Sequence, residues 1–318
     1  MSWTSLPLEL IDQVVSEGHL RKRDLANLAR VNKSTYLIVL NTLYREVKLH
    51  GSGERQDQEV LDLFHRALTE SPRLATFTQS LTINAFLPDD DKLLRSKAII
   101  GKLYALQKLS LAFYGKGYFD ESFVENVMPT DLDTGTIMLA RVRSIEIIDP
   151  ELTFSGISTL MCLPKVESLT VKCHRREVTS GGSILPSTAS HRSSLKNLSL
   201  TISADCYPGL QRTLPLCSAL ENFICNISSM HNVNDHPVSP AGLSRVLKAC
   251  QKTLVTMEFN SHRLGHIDDT MLDLSYFCNL KSLKASSLLL FGEDERDNPA
   301  LRISLYTRLP SSLEKLEV

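Results

Sequence analysis

The stretch Leu195-Lys196-Asn197-Leu198-Ser199-Leu200 decides the fold. An apolar residue is followed by two others, a second apolar residue, one other, and a third apolar residue. The last two apolar positions lie two apart, so they share one face of an extended strand. The first turns inward at the corner ahead of it. The same spacing recurs at Leu106/Leu109/Leu111, Val142/Ile145/Ile147, Val166/Leu169/Val171, Leu220/Phe223/Cys225, Leu254/Met257/Phe259, Leu280/Leu283/Ala285 and Leu313/Leu316/Val318. Tyr44/Val47/Leu49 also fits, and Leu81/Ile83 is a weaker case that lacks the first apolar residue.

This spacing is the strand signature of leucine-rich repeats. From Ile145 to Leu169 the marker advances 24 residues, and from Leu109 to Ile145 it advances 36. Repeats of this kind typically span about 20–29 residues, so these are irregular. Each interval has room for a strand, a turn, a helix and a return loop. Val60-Leu61-Phe64-Leu68 and Leu243-Val246-Leu247-Cys250 carry helical spacing inside two of them. The expected fold over residues 51–318 is α/β: an irregular leucine-rich-repeat solenoid with a curved parallel sheet and helices outside. An ordinary α/β domain with scattered leucine-rich strands is the alternative, and the shared register of the units argues against it. The chain stops at Val318, inside a repeat strand, so a truncated or uncapped last unit is expected.

Ahead of the repeats, residues 1–50 read differently. Leu10, Ile11, Val14 and Val15 form an apolar stripe at helical spacing, with Pro7 and Glu9 suited to a first helical turn. Asp24 reads as the N-cap of a second helix carrying Leu25, Leu28 and Ala29. Ser34 reads as the cap of a third, with Tyr36, Leu37, Leu40 and Leu43. Three helices this short cannot bury all these residues among themselves, so some apolar surface must meet the rest of the chain or a partner.

Leu6-Pro7-x-Glu9-Leu10-Ile11, then Asp24-Leu25-x-x-Leu28-Ala29-x-Val31, then Leu43-Tyr44-Arg45-x-Val47 resembles an F-box of the form common in fungal proteins. Asn32 stands where that family often has cysteine, and Tyr36 near a common tryptophan. The resemblance covers roughly the first fifty residues. It implies docking to the Skp adaptor of a Skp–cullin–F-box ubiquitin ligase. Leu6, Pro7, Leu10, Ile11, Leu25, Leu28, Val31 and Tyr36 are the expected docking residues. A helical cap on the following repeats is the other reading of this segment.

The net charge is −1, so no global field draws the chain to nucleic acid or to an anionic membrane. Seven cysteines without C-x-x-C spacing, and no secretory signal ahead of Leu6, point to an intracellular protein with reduced thiols, in cytoplasm or nucleus. Thr179–Ser194, His231–Pro240 and Gly292–Pro299 read as polar loops.

No catalytic constellation emerges. Ser193-x-x-Lys196 and Ser312-x-x-Lys315 match a Ser–Lys hydrolase spacing, but each lies on the repeat, which explains both. Phe113-Tyr114-Gly115-Lys116-Gly117-Tyr118-Phe119 lacks phosphate-loop spacing and reads either as an aromatic rim loop or as cover for the core. His262 and His266 read as a surface loop, and no metal or cofactor is expected. The outward ladder Thr82, Ser110, Glu146, Thr170, Ser199, Ile224, Glu258 and Lys284 has a single lysine, so it is no phosphate track. It suits a protein substrate, with Glu146, Ile148, Ile224, Glu258 and Lys284 as candidate contacts. The sequence thus reads as a non-enzymatic substrate adaptor. A leucine-rich-repeat scaffold without a ligase role is the alternative.

Overall fold

The computed structural model describes residues 7–17, 20–50, 54–86, 90–114, 139–148, 154–172, 193–203, 207–228, 239–262, 270–291 and 305–318. Leu6, His266 and most of the polar and aromatic loops named above lie outside them. The chain divides into two compact units. The first holds Met1–Gly117 and Asn126–Val142, the second Tyr118–Glu125 and Arg143–Val318.

The first unit opens with α1 (Leu8–Glu17), α2 (Lys22–Leu28) and α3 (Lys33–Arg45). Ile11, Val15, Leu25 and Val39 form a buried cluster, against which Leu28, Ala29, Ile38 and Leu43 pack. The helix starts differ by a few residues from the sequence reading. Arg21 is the N-cap of α2, and Asp24 sits in the first turn with its carboxylate accepting from the Arg21 backbone N–H at 3.3 Å. Asn32, not Ser34, caps α3, its side chain accepting from Thr35 N–H at 2.8 Å. Both solutions satisfy N–H groups that a helix start leaves without partners.

α3 runs without a break into β1 (Glu46–His50). Then follow α4 (Glu54–Glu70), α5 (Leu74–Phe77), β2 (Ser80–Phe86), α6 (Asp90–Lys102) and β3 (Lys108–Tyr114). The three strands are parallel, and the motif residues are in register: Val47, Leu81 and Leu109 in one row, Leu49, Ile83 and Leu111 in the next. All six are buried. In the weak unit, buried Thr78 takes the place of the missing first apolar residue, its hydroxyl donating to Leu74 O at 3.1 Å. Leu61, Phe64 and Leu68 of α4 turn into the core, as their spacing requires.

The second unit contains β4 (Ser144–Ile148), α7 (Phe154–Met161), β5 (Ser168–Lys172), β6 (Asn197–Ser203) and α8 (Tyr207–Thr213). It continues with β7 (Asn222–Ser228), α9 (Pro240–Leu247), β8 (Thr256–His262), β9 (Ser282–Ala285), α10 (Ser287–Phe291) and β10 (Lys315–Glu317). These strands also pair in parallel and in chain order. One row reads Ile145, Leu169, Leu198, Phe223, Met257, Leu283 and Leu316. The next reads Ile147, Val171, Leu200, Cys225, Phe259 and Ala285. All these residues are buried except Leu316. Each unit is therefore an α/β stack of parallel strands with helical segments between them, the arrangement of a leucine-rich-repeat solenoid.

Two devices lock neighbouring repeats. Hydroxyls just ahead of a motif leucine reach back to the carbonyl of the preceding motif's first residue. Ser194 donates to Val166 O at 3.1 Å, Thr253 to Leu220 O at 2.8 Å and Ser312 to Leu280 O at 2.9 Å. At the two intervening corners stand Ala219, which has no hydroxyl, and Asn279, which bonds Lys252 O instead. The residues entering the strands alternate in sign through Arg143, Glu167, Lys196 and Glu221; uncharged Val255 breaks the series, and Lys281 and Glu314 follow. Arg143–Glu167, Lys196–Glu221 and Lys281–Glu314 are ion pairs at 3.5, 3.7 and 3.1 Å.

Candidate docking and recognition surfaces

The first surface lies on the helical front. The apolar arc of α1 is wider than the core it helps to fill. Ile11 and Val15 are buried, whereas Leu10 and Val14, one residue earlier and so about 100° around the helix, are 48% and 43% exposed. Leu8, Leu20, Val31, Tyr36 and Leu37 are exposed as well. Among the residues expected to dock, Pro7, Leu10, Val31 and Tyr36 are at the surface. Ile11 and Leu25 are inside the three-helix core, and Leu28 packs partly against it. Burial of Ile11 is thus against the helices of its own segment. The sequence reading did not single out Leu8, Val14, Leu20 or Leu37 for docking. The width of the apolar arc on α1 was the available signal for Val14.

The second surface is the outward side of the strands, where side chains alternate with the core rows. In the second unit its middle row is Glu146, Thr170, Ser199, Ile224, Glu258, Lys284 and Glu317. Ile148 and Ile224 are both half-buried. Glu258 accepts from Lys284 Nζ at 2.9 Å. That bond holds the Glu258 carboxyl below its ordinary value against the opposing effect of partial burial, with a further bond from Asn260. The same contact raises the Lys284 ammonium above its usual value. Two predicted contacts therefore neutralise each other.

Asparagines that sequence reasoning passed over also sit here. Asn222 Nδ2 donates to Asn197 Oδ1 at 2.6 Å, and Thr256 Oγ1 to Asn222 Oδ1 at 2.6 Å. Asn260 Nδ2 donates to Asn226 Oδ1 at 2.9 Å and to Glu258 Oε1 at 2.6 Å. Apart from Asn260 and Glu258, which share β8, these partners come from different repeats, so only alignment of the repeats brings them together.

The Ser–Lys spacings are structural. Ser193 Oγ is buried and donates to Met161 O at 2.6 Å, while Lys196 turns to Glu221. Ser312 is one of the inter-repeat hydroxyls and Lys315 pairs with Glu317. Among the described residues no group of histidine, cysteine and acidic side chains could hold a metal ion. No helix among them is long and apolar enough to cross a membrane.

No family model matches the sequence, and no curated protein does. Among solved structures, a chain of the "Crystal structure of Rad7 and Elc1 complex in yeast" is similar over 88% of this chain and 82% of that one. The two are 13% identical, with a TM-score of 0.25. A likeness this slight says nothing about what this chain binds.

Proposed function

We propose that this chain is the substrate-recognition adaptor of a Skp–cullin–F-box type ubiquitin ligase. The helical front docks the Skp adaptor, through which the cullin scaffold is joined, and the strand face holds a protein substrate. The observation that carries the reading is the uncovered half of α1. Leu10 and Val14 remain exposed beside a core that Ile11, Val15, Leu25 and Val39 already fill. Contiguous exposed apolar surface of this kind marks a protein-binding site. The sequence blocks that resemble an F-box lie on these same helices. In this role the chain makes and breaks no bonds and needs no cofactor. It acts within the cell by raising the local concentration of substrate near a charged ubiquitin carrier.

The continuity of α3 with β1 also suits a cap on a scaffold, and one experiment separates the readings. Purified Skp adaptor is titrated onto the full chain, onto Leu10→Glu and onto the strand-face control Ile224→Glu. Docking by the front predicts binding by the native chain and the control but not by Leu10→Glu. Absence of binding by the native chain, or equal binding by Leu10→Glu, would leave the scaffold reading.

A further inference from the structure

The outward face of β6–β8 is ordered in a way that its composition does not disclose. Four side-chain bonds between strands on this face run in one direction, from the later strand to the earlier. Asn222 donates to Asn197, Thr256 to Asn222, Asn260 to Asn226, and Lys284 to Glu258. Each asparagine amide has two N–H donors and one carbonyl acceptor. The ladder therefore occupies the carbonyls of Asn197, Asn222 and Asn226 and leaves donors over. Asn197 and Asn226 donate to no described group, and Asn222 spends one N–H. The side chains are held in place by their mutual bonds, so little ordering cost remains when a ligand binds.

Ile224 stands at the centre of this group. Asn222 and Asn226 flank it two residues away on β7, and its cross-strand neighbours are Ser199 and Glu258. It is half-buried, an apolar spot ringed by polar groups, as binding anchors commonly are. From Asn222 to Asn226 is four residues of strand, about 13 Å, the reach of four or five residues of extended chain laid along β7.

Charge narrows the ligand further. In the second unit the described face carries Lys172, Lys284 and Lys315. Lys284 is tied to Glu258 and Lys315 to Glu317. Lys172 lies on β5, two strands away from β7. Among the described residues no cation beside Ile224 is left for a phosphate, which binds best to unspent arginine or lysine.

We infer that this face takes an extended, uncharged and unmodified stretch of polypeptide. One apolar side chain of the ligand rests on Ile224, and its backbone carbonyls accept from the amides of Asn197, Asn222 and Asn226. This rests on the substrate-recognition role proposed above and specifies its ligand.

The test uses the full chain and a random dodecapeptide library displayed on phage. Enriched peptides are resynthesised, and each is also made with its serines phosphorylated. The expected result is a consensus of one apolar residue among uncharged ones. Binding should weaken at least tenfold with Ile224→Glu and with the double variant Asn222→Ala/Asn226→Ala, and should not be strengthened by phosphorylation. Leu10→Glu should leave it unchanged, so failure of adaptor docking is read separately. Thermal melting of each variant establishes that it is folded, and a single Asn226→Ala variant serves if the double one is not. No enrichment, binding indifferent to Ile224 and the asparagines, or a requirement for phosphate or acidic residues sensitive to Lys172→Ala would overturn the inference.

Discussion

Replacing Leu10 and Val14 with alanine tests the docking face quantitatively. Complete burial of a leucine or valine side chain contributes about 1.5–3 kcal/mol. Leu10 is 48% exposed and Val14 43%, so about half of that remains for a partner to gain at each position. Together the two truncations should cost about 2 kcal/mol of binding, or roughly a 30-fold rise in Kd. Folding should change little, because the removed atoms already face water in part and alanine is the better helix former. Ile11→Ala is the counterpart. Ile11 is 2% exposed and shares a core with Val15, Leu25 and Val39. Its truncation should cost about 2–5 kcal/mol of stability. Calorimetric titration with purified Skp adaptor gives the affinities, and urea denaturation of the same preparations gives the stabilities. If the surface pair destabilises the fold as much as Ile11→Ala, or binds the adaptor like the native chain, the division of α1 into a core half and a docking half is wrong.

Thr253→Val removes the hydroxyl that donates to Leu220 O at 2.8 Å and to Ser218 O at 3.2 Å, and should cost about 1–2 kcal/mol in urea denaturation. His65 is held below its usual value first by burial, then by Lys102 and Arg95, with Asp62 opposing them. The unfolded chain therefore takes up this proton first. The contribution is complete above the ordinary histidine value near 6.5 and is lost as pH falls through that value toward the lower folded one. His65→Gln should flatten that part of the stability profile between pH 7.5 and 5.5. Burial pushes the thiols of Cys217 and Cys250 up to about 12, while Cys278 is exposed. Iodoacetamide at pH 8 should modify Cys278 in the native protein and reach Cys217 and Cys250 only after denaturation, as mass spectrometry of peptides would reveal.

The repeats were legible in the sequence because strand register depends on spacing alone. Leu169, Leu198 and Phe223 could be placed in one row without knowledge of their neighbours. The unit at Leu81 was faint because Thr78 occupies the first apolar site, and its fitness for burial depends on a bond to Leu74 O. Cap assignments slipped by a few residues because Asn32, Ser34 and Asp24 all have capping side chains. Periodicity found the stripe on α1 but could not say which half would be covered, since Leu10 and Ile11 are alike in character. The asparagine ladder was hidden for another reason: Asn197 and Asn222 are 25 residues apart and become partners only once β6 and β7 pair.

The alternation of signs from Arg143 to Glu221 gives this part of the second unit a hidden period of two. Cutting out one repeat from this series, such as the one begun by Glu167, would press Arg143 against Lys196. Cutting out or duplicating a pair between Arg143 and Glu221 preserves the order of signs. The module for lengthening, shortening or transplanting this scaffold is a couplet of repeats.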